Sequence, residues 1–542
     1  MNFISVLVTA VQQASPTPAP AASPTALPVS VPGSGIFQSS LLLSLLIWAP
    51  VLVALVIAVL PNPRGRFDTL MKQIAFFTNI GMLFILWVAY NQFEPFLSTV
   101  QYEENVSWLS RIGAVYHLGI DGPGLVMLIL SGLIGLVSIL ASWGIRERVR
   151  SYFCLLLISE ACINGAVVAH DMFVLLLFWG ASTVPLALLV LGWGGPRRES
   201  GAWRLVAYWG VGTIALLIAT LALYAAAGAN SFDMDVVFKV PVSPRIQLVA
   251  GLALIVAAAT RLPLFPFQGW VRDVYSHAPI GVCIVVAGSA SRLGAYVLLR
   301  VLVGAEPIGA QLLSPLLALL AAATVIYAGL VVLRTHDLRR ISAYLSMVPG
   351  GVTVLGLAAL SPLAIGGSVL SLFSGGLAAA LIVGVCATLA ERAQTGSLYV
   401  LKGLAPRMPS LTWITVFAVL GLLGLPLMAS FPAYEMTFFG AVKNQPLAAF
   451  AVAGGLAIVA AALVVILHRV LFGTPNPDAP GVSDASSGEK WFLGILAGGL
   501  LWVGMFPGGP KLPGTDTPIF DPGLVNSMAA GITELAAPYA AK

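Results

Sequence analysis

Charge is what this chain has least of: Asp, Glu, Lys and Arg make up 9% of its 542 residues, against 58% hydrophobic. With a mean hydropathy of +0.95, a water-soluble fold is excluded, because so few polar groups could not cover a domain of this size. Cysteine is scarce too. Cys154, Cys162, Cys283 and Cys386 all lie in apolar runs, with no C-x-x-C spacing and no histidine pair beside them, so they read as small core residues. Walker, dinucleotide-binding and haem-ligating patterns are missing as well, so no metal or cofactor is expected in this chain. The net charge of +5 would suggest nucleic acid in a soluble protein. Here the basic residues sit in short loops between apolar runs, where they orient helices, and no nucleic-acid partner is expected. The partner that remains is the lipid bilayer, and the chain reads as an all-α polytopic membrane protein.

Residues 1–36 hold a weakly apolar start without a basic region and then a Pro/Ala/Ser-rich run, which supports a cleaved signal peptide only poorly. Apolar runs able to span a roughly 30 Å hydrocarbon core follow at 37–60, 70–90, 123–143, 151–169, 171–193, 203–227, 246–266, 277–303, 311–333, 340–361, 364–391, 409–440, 445–468 and 490–507. They predict about fourteen helices. The stretch before Gly119-Ile-Asp-Gly122 reads as polar and acidic, and 508–542 as an irregular external tail. Basic clusters such as Arg146/Arg148/Arg150 and Arg334/Arg339/Arg340 mark cytoplasmic loops, so both termini are expected outside.

Two spans are interrupted. One carries Pro263 and Pro266 just after Arg261; the other carries Gly424-Leu-Pro426 and Pro432. Each break falls in the fourth helix of a five-helix set, 151–303 and 311–468. An odd number of spans inverts the second set, which predicts two inverted repeats with sites at the discontinuous helices. A broken helix leaves carbonyls without partners, and a charge beside it is costly, so the pair raises a functional hypothesis. The embedded candidates are Glu160, Arg261, Arg292 and Glu435, with Asp171 and His468 nearer helix ends. Arg300, Arg334 and Arg392 lie in last turns, where snorkelling accounts for them. Arg261 lies some 22 Å along its helix at about 1.5 Å per residue, where a functional placement stands against structural pairing and helix-end snorkelling. A buried carboxylate is protonated or paired, so Glu160 is expected to pair with a cation such as Arg261.

Several motifs occur in order: Gly119-Ile-Asp-Gly122; Phe178-Trp179 with Pro185; Leu262-Pro-Leu-Phe-Pro-Phe-Gln-Gly-Trp270; Gly294-Ala-Tyr-Val-Leu-Leu-Arg300; Asp337-Leu-Arg-Arg-Ile-Ser-Ala-Tyr344; Gly424-Leu-Pro426; and His468-Arg-Val-Leu-Phe-Gly473. Together, over about 115–475, they resemble the antiporter-like membrane subunits of respiratory complex I, in particular subunit M (chain 4) of NADH-quinone oxidoreductase. The resemblance implies a bacterial inner-membrane protein whose partners are other membrane-arm subunits, with quinone met only through them. It also implies proton transfer by a glutamate in the fifth span, lysines in the seventh and eighth, histidines in the tenth and eleventh, and a glutamate or lysine in the twelfth. At those positions this chain has Gly180, Arg261, Arg292, Pro349, Gly375 and Tyr434 with Glu435 beside it, and Gln268 replaces the histidine of the broken helix.

Arginine keeps its proton at any accessible pH where a buried lysine need not, so the two substitutions preserve charge and remove proton switches. Two mechanisms follow from the resemblance. In one, protons still pass along water wires, with Arg261 and Arg292 as fixed charges and Glu160, Asp171 or Glu435 titrating. In the other, which the substitutions favour, the chain keeps the fold and lateral contacts of the arm but no longer pumps. Competing readings are a large subunit of a multisubunit cation/proton antiporter and a membrane subunit of an energy-converting hydrogenase.

Overall fold

In lipid both faces of a helix meet apolar surroundings, so amphipathic stripes cannot fix helix positions; small residues and buried polar contacts do. The computed structural model describes residues 41–62, 65–93, 100–228, 230–474 and 483–505, so the amino-terminal segment and the tail at 508–542 lie outside the described residues. The chain is all-α apart from one hairpin. In order come α1 Leu42–Val59, α2 Asp68–Gln92, β1 Gln101–Leu109, β2 Ala114–Ile120, α3 Gly122–Ala141, α4 Val149–Val168, α5 Met172–Trp193, α6 Arg198–Ala226 and α7 Pro244–Arg261. Then follow α8 Ile280–Val303, α9 Pro307–Arg334, α10 Leu338–Ala359, α11 Pro362–Arg392, α12 Pro409–Leu423, α13 Ser430–Val442, α14 Pro446–Phe472 and α15 Ser487–Met505. Among the described residues, twelve of these helices, α1 to α11 and α14, are long and apolar enough to cross a membrane. The span expected at 409–440 is instead two shorter helices, and α15 carries Glu489 and Lys490 in its first turns.

The helices sort by burial. The apolar windows of α8 and α11 are wholly buried, and that of α10 is 94% buried, whereas α2 and α14 reach only 28%. A sheath therefore surrounds a central trio. Trp203, Leu319, Leu447 and Val464 stay exposed on the sheath, which in water would be an aggregation surface and in lipid is the solvent-facing belt. At the centre, Gly376 of α11 meets α8 so closely that a Cβ would lie 2.5 Å from the Gly288 carbonyl oxygen.

Both interruptions have their freed backbone groups satisfied from elsewhere in the protein. After Arg261 the chain is irregular to a short turn at Gln268–Trp270 and a helix at Val271–His277. The Trp270 indole donates to the Thr260 carbonyl at 2.8 Å, and the Phe265 amide donates to Thr324 Oγ1 at 3.0 Å. After α12 the chain turns at Gly424, whose φ of +65° suits glycine. Here the Tyr434 hydroxyl donates to the Leu422 carbonyl at 3.1 Å, and the Ala429 amide to Leu500 of α15 at 2.8 Å.

The stretch read as merely polar contains the antiparallel hairpin β1–β2. Buried Glu104 accepts the Leu43 amide at 2.7 Å and the Ser44 amide at 3.1 Å. A hairpin carboxylate thus caps the first turn of α1, where unpaired amides and the helix dipole favour negative charge.

Candidate functional site

The central trio and its neighbours bring the sequence-predicted cations together with a set of partners that the sequence did not name. Arg261, at the last turn of α7, is 0% exposed. Its Nε donates to the Ala290 carbonyl at 3.1 Å, its Nη1 to the Trp179 carbonyl at 3.0 Å, and its Nη2 to the Ser182 hydroxyl. The Ala290 carbonyl is free because α8 makes a π turn over Val286–Ala290 and the Gly294 amide bonds to Ser291 instead. The guanidinium also lies 4.3 Å from the ring centres of both Trp179 and Trp209. Carbonyl dipoles and indole faces thus hold this cation.

The expected Glu160–Arg261 pair does not form. Glu160 of α4 is buried, and its Oε2 accepts from Asn79 of α2 at 2.6 Å while Oε1 has no partner. It nests where Gly135 of α3 leaves room, since a Cβ there would be 2.3 Å from Oε1. A buried carboxylate can be met by an amide as well as by a cation, and here the Asn79 amide takes that place. At Gly180, where the resemblance implies a carboxylate, a Cβ would lie 3.2 Å from Thr213 of α6. Its neighbour's backbone, the Trp179 carbonyl, serves Arg261.

Arg292 sits between the two π turns of α8 and is 1% exposed. Only its Nη2 has a hydrogen-bond partner, the Ser346 carbonyl at 3.2 Å; Nε and Nη1 have none among the described residues. The Tyr275 hydroxyl lies beside the Ser291 and Ser346 hydroxyls, although neither it nor Ser291 makes an aligned hydrogen bond among the described residues. Pro349 of α10 and Gly375 of α11, where the resemblance implies histidines, face each other, since a Cβ on Gly375 would lie 2.7 Å from the Pro349 Cβ. Beside them runs a line of hydroxyls. Thr353 and Ser371 are 2.9 Å apart, and the Ser368 hydroxyl donates to the Thr353 carbonyl at 2.9 Å. Tyr434 is buried and Glu435 half-buried, and both line one groove of about 270 Å³ between α10, α12, α13 and α14. Pro432 lies in the first turn of the regular helix α13, so Tyr434 and Glu435 are consecutive helical residues that both border this groove. Gln268 opens the short turn after the first break, with its Oε1 unpartnered.

Asp171 is a cap. Its Oδ1 accepts the Phe173 and Val174 amides at 2.8 and 3.1 Å, and its Oδ2 accepts the Val115 amide at 3.0 Å, tying α5 to β2. Burial raises its pKa against those three bonds. Arg300 does not snorkel. It is 9% exposed, meets Tyr296 and His170, and stands 3.7 Å from Asp121. Burial and Arg300 push His170 well below the usual histidine value, so it is neutral. Arg392 pairs with Glu489, while Arg334 lines a loop-side cavity.

Four further groups escaped the sequence reading. Trp179 was visible only as a motif letter, and Trp209 carried no signal. Lys72 of α2 is buried and donates to the Trp143 carbonyl at 2.7 Å. Glu306, at the α8–α9 junction, is 0% exposed with neither oxygen partnered among the described residues, and burial pushes its pKa to about 8.

Comparison with known proteins fits this arrangement. The family described as NADH:quinone oxidoreductase/Mrp antiporter, TM, matches residues 169–459. NAD(P)H-quinone oxidoreductase chain 4 1 of Synechococcus sp. (strain JA-2-3B'a(2-13)) is 30% identical over 443 residues, covering 80% of this chain and 83% of that protein. NADH-quinone oxidoreductase subunit M of Rhodobacter capsulatus is 26% identical over 479 residues, covering 86% and 93%. A chain of respiratory complex I from Thermus thermophilus with bound NADH superposes with a TM-score of 0.79 at 22% identity, over 91% of this chain and 99% of that one, a likeness of fold. The chain therefore belongs to the NADH:quinone oxidoreductase/Mrp antiporter family and is an antiporter-like membrane subunit of the subunit M (chain 4) type.

Proposed function

We propose that this chain is a membrane-arm subunit of a complex I-type assembly in a bacterial inner membrane, and that it contributes fold, lateral contacts and two fixed positive charges while moving no proton of its own. The observation that carries this reading is the setting of Arg261. Its donors are spent on two carbonyls and a hydroxyl between two indoles, with no ion pair among the described residues. A proton switch needs a group whose pKa can cross the working pH and a partner that moves to shift it. Arginine fails the first condition and this cage the second. Pro349 against Gly375 supplies no titrating group one step further on. Hydroxyls such as Thr353 and Ser371 can relay hydrogen bonds but do not take up charge near neutral pH.

The test is the proton-to-electron ratio of the assembled complex in proteoliposomes. Glu435→Gln removes the carboxylate nearest the family's twelfth-span position, and the ratio is expected to stay unchanged. A clear fall would return Glu435 to a proton path and end this reading. Isolation of the chain from its host also checks the partners. Co-purification with quinone-module subunits supports the assembly; co-purification with small antiporter subunits alone, without redox activity, favours an antiporter.

A further inference from the structure

Outside the membrane-spanning helices, one group of side chains has no part in the reading above. Glu103 and His117 of the hairpin and Asp235 of the helix Met234–Val237 each bring one ligand-type atom within 4.8 Å of the others. His117 is 1% exposed, yet neither ring nitrogen makes an aligned hydrogen bond among the described residues. Carboxylate oxygens stand close to both nitrogens all the same, Glu103 Oε1 2.9 Å from Nε2 and Asp233 Oδ1 3.2 Å from Nδ1.

We propose that Glu103, His117 and Asp235 form a binding site for a divalent transition metal of the zinc type, with His117 ligating through Nε2 and Asp233 holding Nδ1–H. A ligating histidine commonly gives its second N–H to a carboxylate, which fixes the tautomer and makes the ligand more basic. Asp233 stands in that position. One imidazole with two carboxylates is a zinc-like donor set; magnesium and calcium prefer oxygen donors throughout. Ligand atoms around a tetrahedral zinc lie about 3.3 Å apart at bond lengths of about 2.0–2.1 Å. Glu103 and Asp235 are exposed, so their side chains are free to close the difference.

The backbone already holds the parts in place. The His170 amide donates to the His117 carbonyl and the Met234 amide to the His170 carbonyl, both at 2.9 Å. Asp171 bridges to Asp233 in the same ladder. Asp233 also accepts the Asp235 amide at 2.9 Å. A metal here joins the hairpin that caps α1 to the segment that follows α6. The alternative occupant is a proton. Burial opposes the imidazolium, but Asp233, Glu103 and Asp235 outweigh it and raise the His117 pKa.

The experiment is Zn²⁺ titration of the chelator-stripped, detergent-solubilised assembly at pH 7.5, with bound zinc counted by mass spectrometry and heat stability followed in parallel. Wild type is expected to bind about one Zn²⁺ at this site and to unfold at higher temperature with it. Glu103→Gln and Asp235→Asn, both exposed and so safe for folding, are each expected to weaken binding at least about tenfold, and Asp233→Asn by about tenfold as an outer partner. Absence of zinc binding by the wild type overturns the proposal in favour of the protonated imidazole. Binding that either exposed-ligand variant fails to weaken overturns it too, because the zinc then sits elsewhere.

Discussion

Arg261 and Arg292 are both buried cations on central helices, yet their surroundings differ. Around Arg261, every donor nitrogen has an acceptor and two indoles face the guanidinium. Around Arg292, one carbonyl accepts, and Nε and Nη1 have no hydrogen-bond partner among the described residues. Two arginines on the neighbouring helices α7 and α8 thus occupy a closed site and an open one. A guanidinium fits where the fold supplies several acceptors in a plane, and the π turn of α8 together with the Trp179 backbone does so only for Arg261.

The largest expected effect tests that contrast. Arg261→Gln strands the Ala290 carbonyl, loosens Trp179 and removes two cation–π contacts, and is expected to cost about 2–4 kcal/mol. Arg292→Gln gives up a single bond and should cost about 1 kcal/mol or less. Heat denaturation in mild detergent, with the level of each variant in the membrane, measures both. Equal losses would break the comparison and show that water completes the hydrogen bonding of Arg292.

Next in size is the contact that fills the histidine positions. Gly375→Ala drives a methyl to 2.7 Å from the Pro349 Cβ, and overpacking of this kind costs about 1–3 kcal/mol. A neutral result would mean that α10 and α11 can part there, which would make the surroundings of Arg292 more adaptable still. Tyr434→Phe should cost about 1 kcal/mol, because it leaves the Leu422 carbonyl at the second break without its donor. If that variant is as stable as wild type, the carbonyl has another partner and the second break is as well served as the first.

The sequence made the depth of these groups legible but not their company. Apolar runs located most of the spans, Pro263, Pro266 and Gly424-Leu-Pro426 located both breaks, and the apolar run around Arg261 marked it as embedded. Partners were a different matter. The indoles over Arg261 come from α5 and α6, the amide on Glu160 comes from α2, and Asp121 reaches Arg300 from the start of α3. In lipid, helix faces carry little periodic signal to say which helix lies beside which. The hairpin was hidden for a related reason: along Gln101–Leu109 most side chains are exposed on both faces, so strand alternation was faint. Arg300 went astray because a last-turn arginine looks the same in sequence whether it snorkels or pairs.

Glu160→Gln is the smallest change and the one that bears most directly on where positive charge is balanced. Had Glu160 neutralised Arg261, its loss would leave a buried cation unpaired, at about 3–5 kcal/mol. Its observed partner is the Asn79 amide at 2.6 Å, and a glutamine carbonyl accepts from an amide as a carboxylate does. The exchange is therefore expected to shift stability by less than about 1 kcal/mol, within the net worth of one hydrogen bond. A loss several times larger would mean that Glu160 reaches Arg261 in some state of the working protein. Arg261 would then have a movable carboxylate within range, and the contrast between a closed site and an open one would have to be redrawn around that motion.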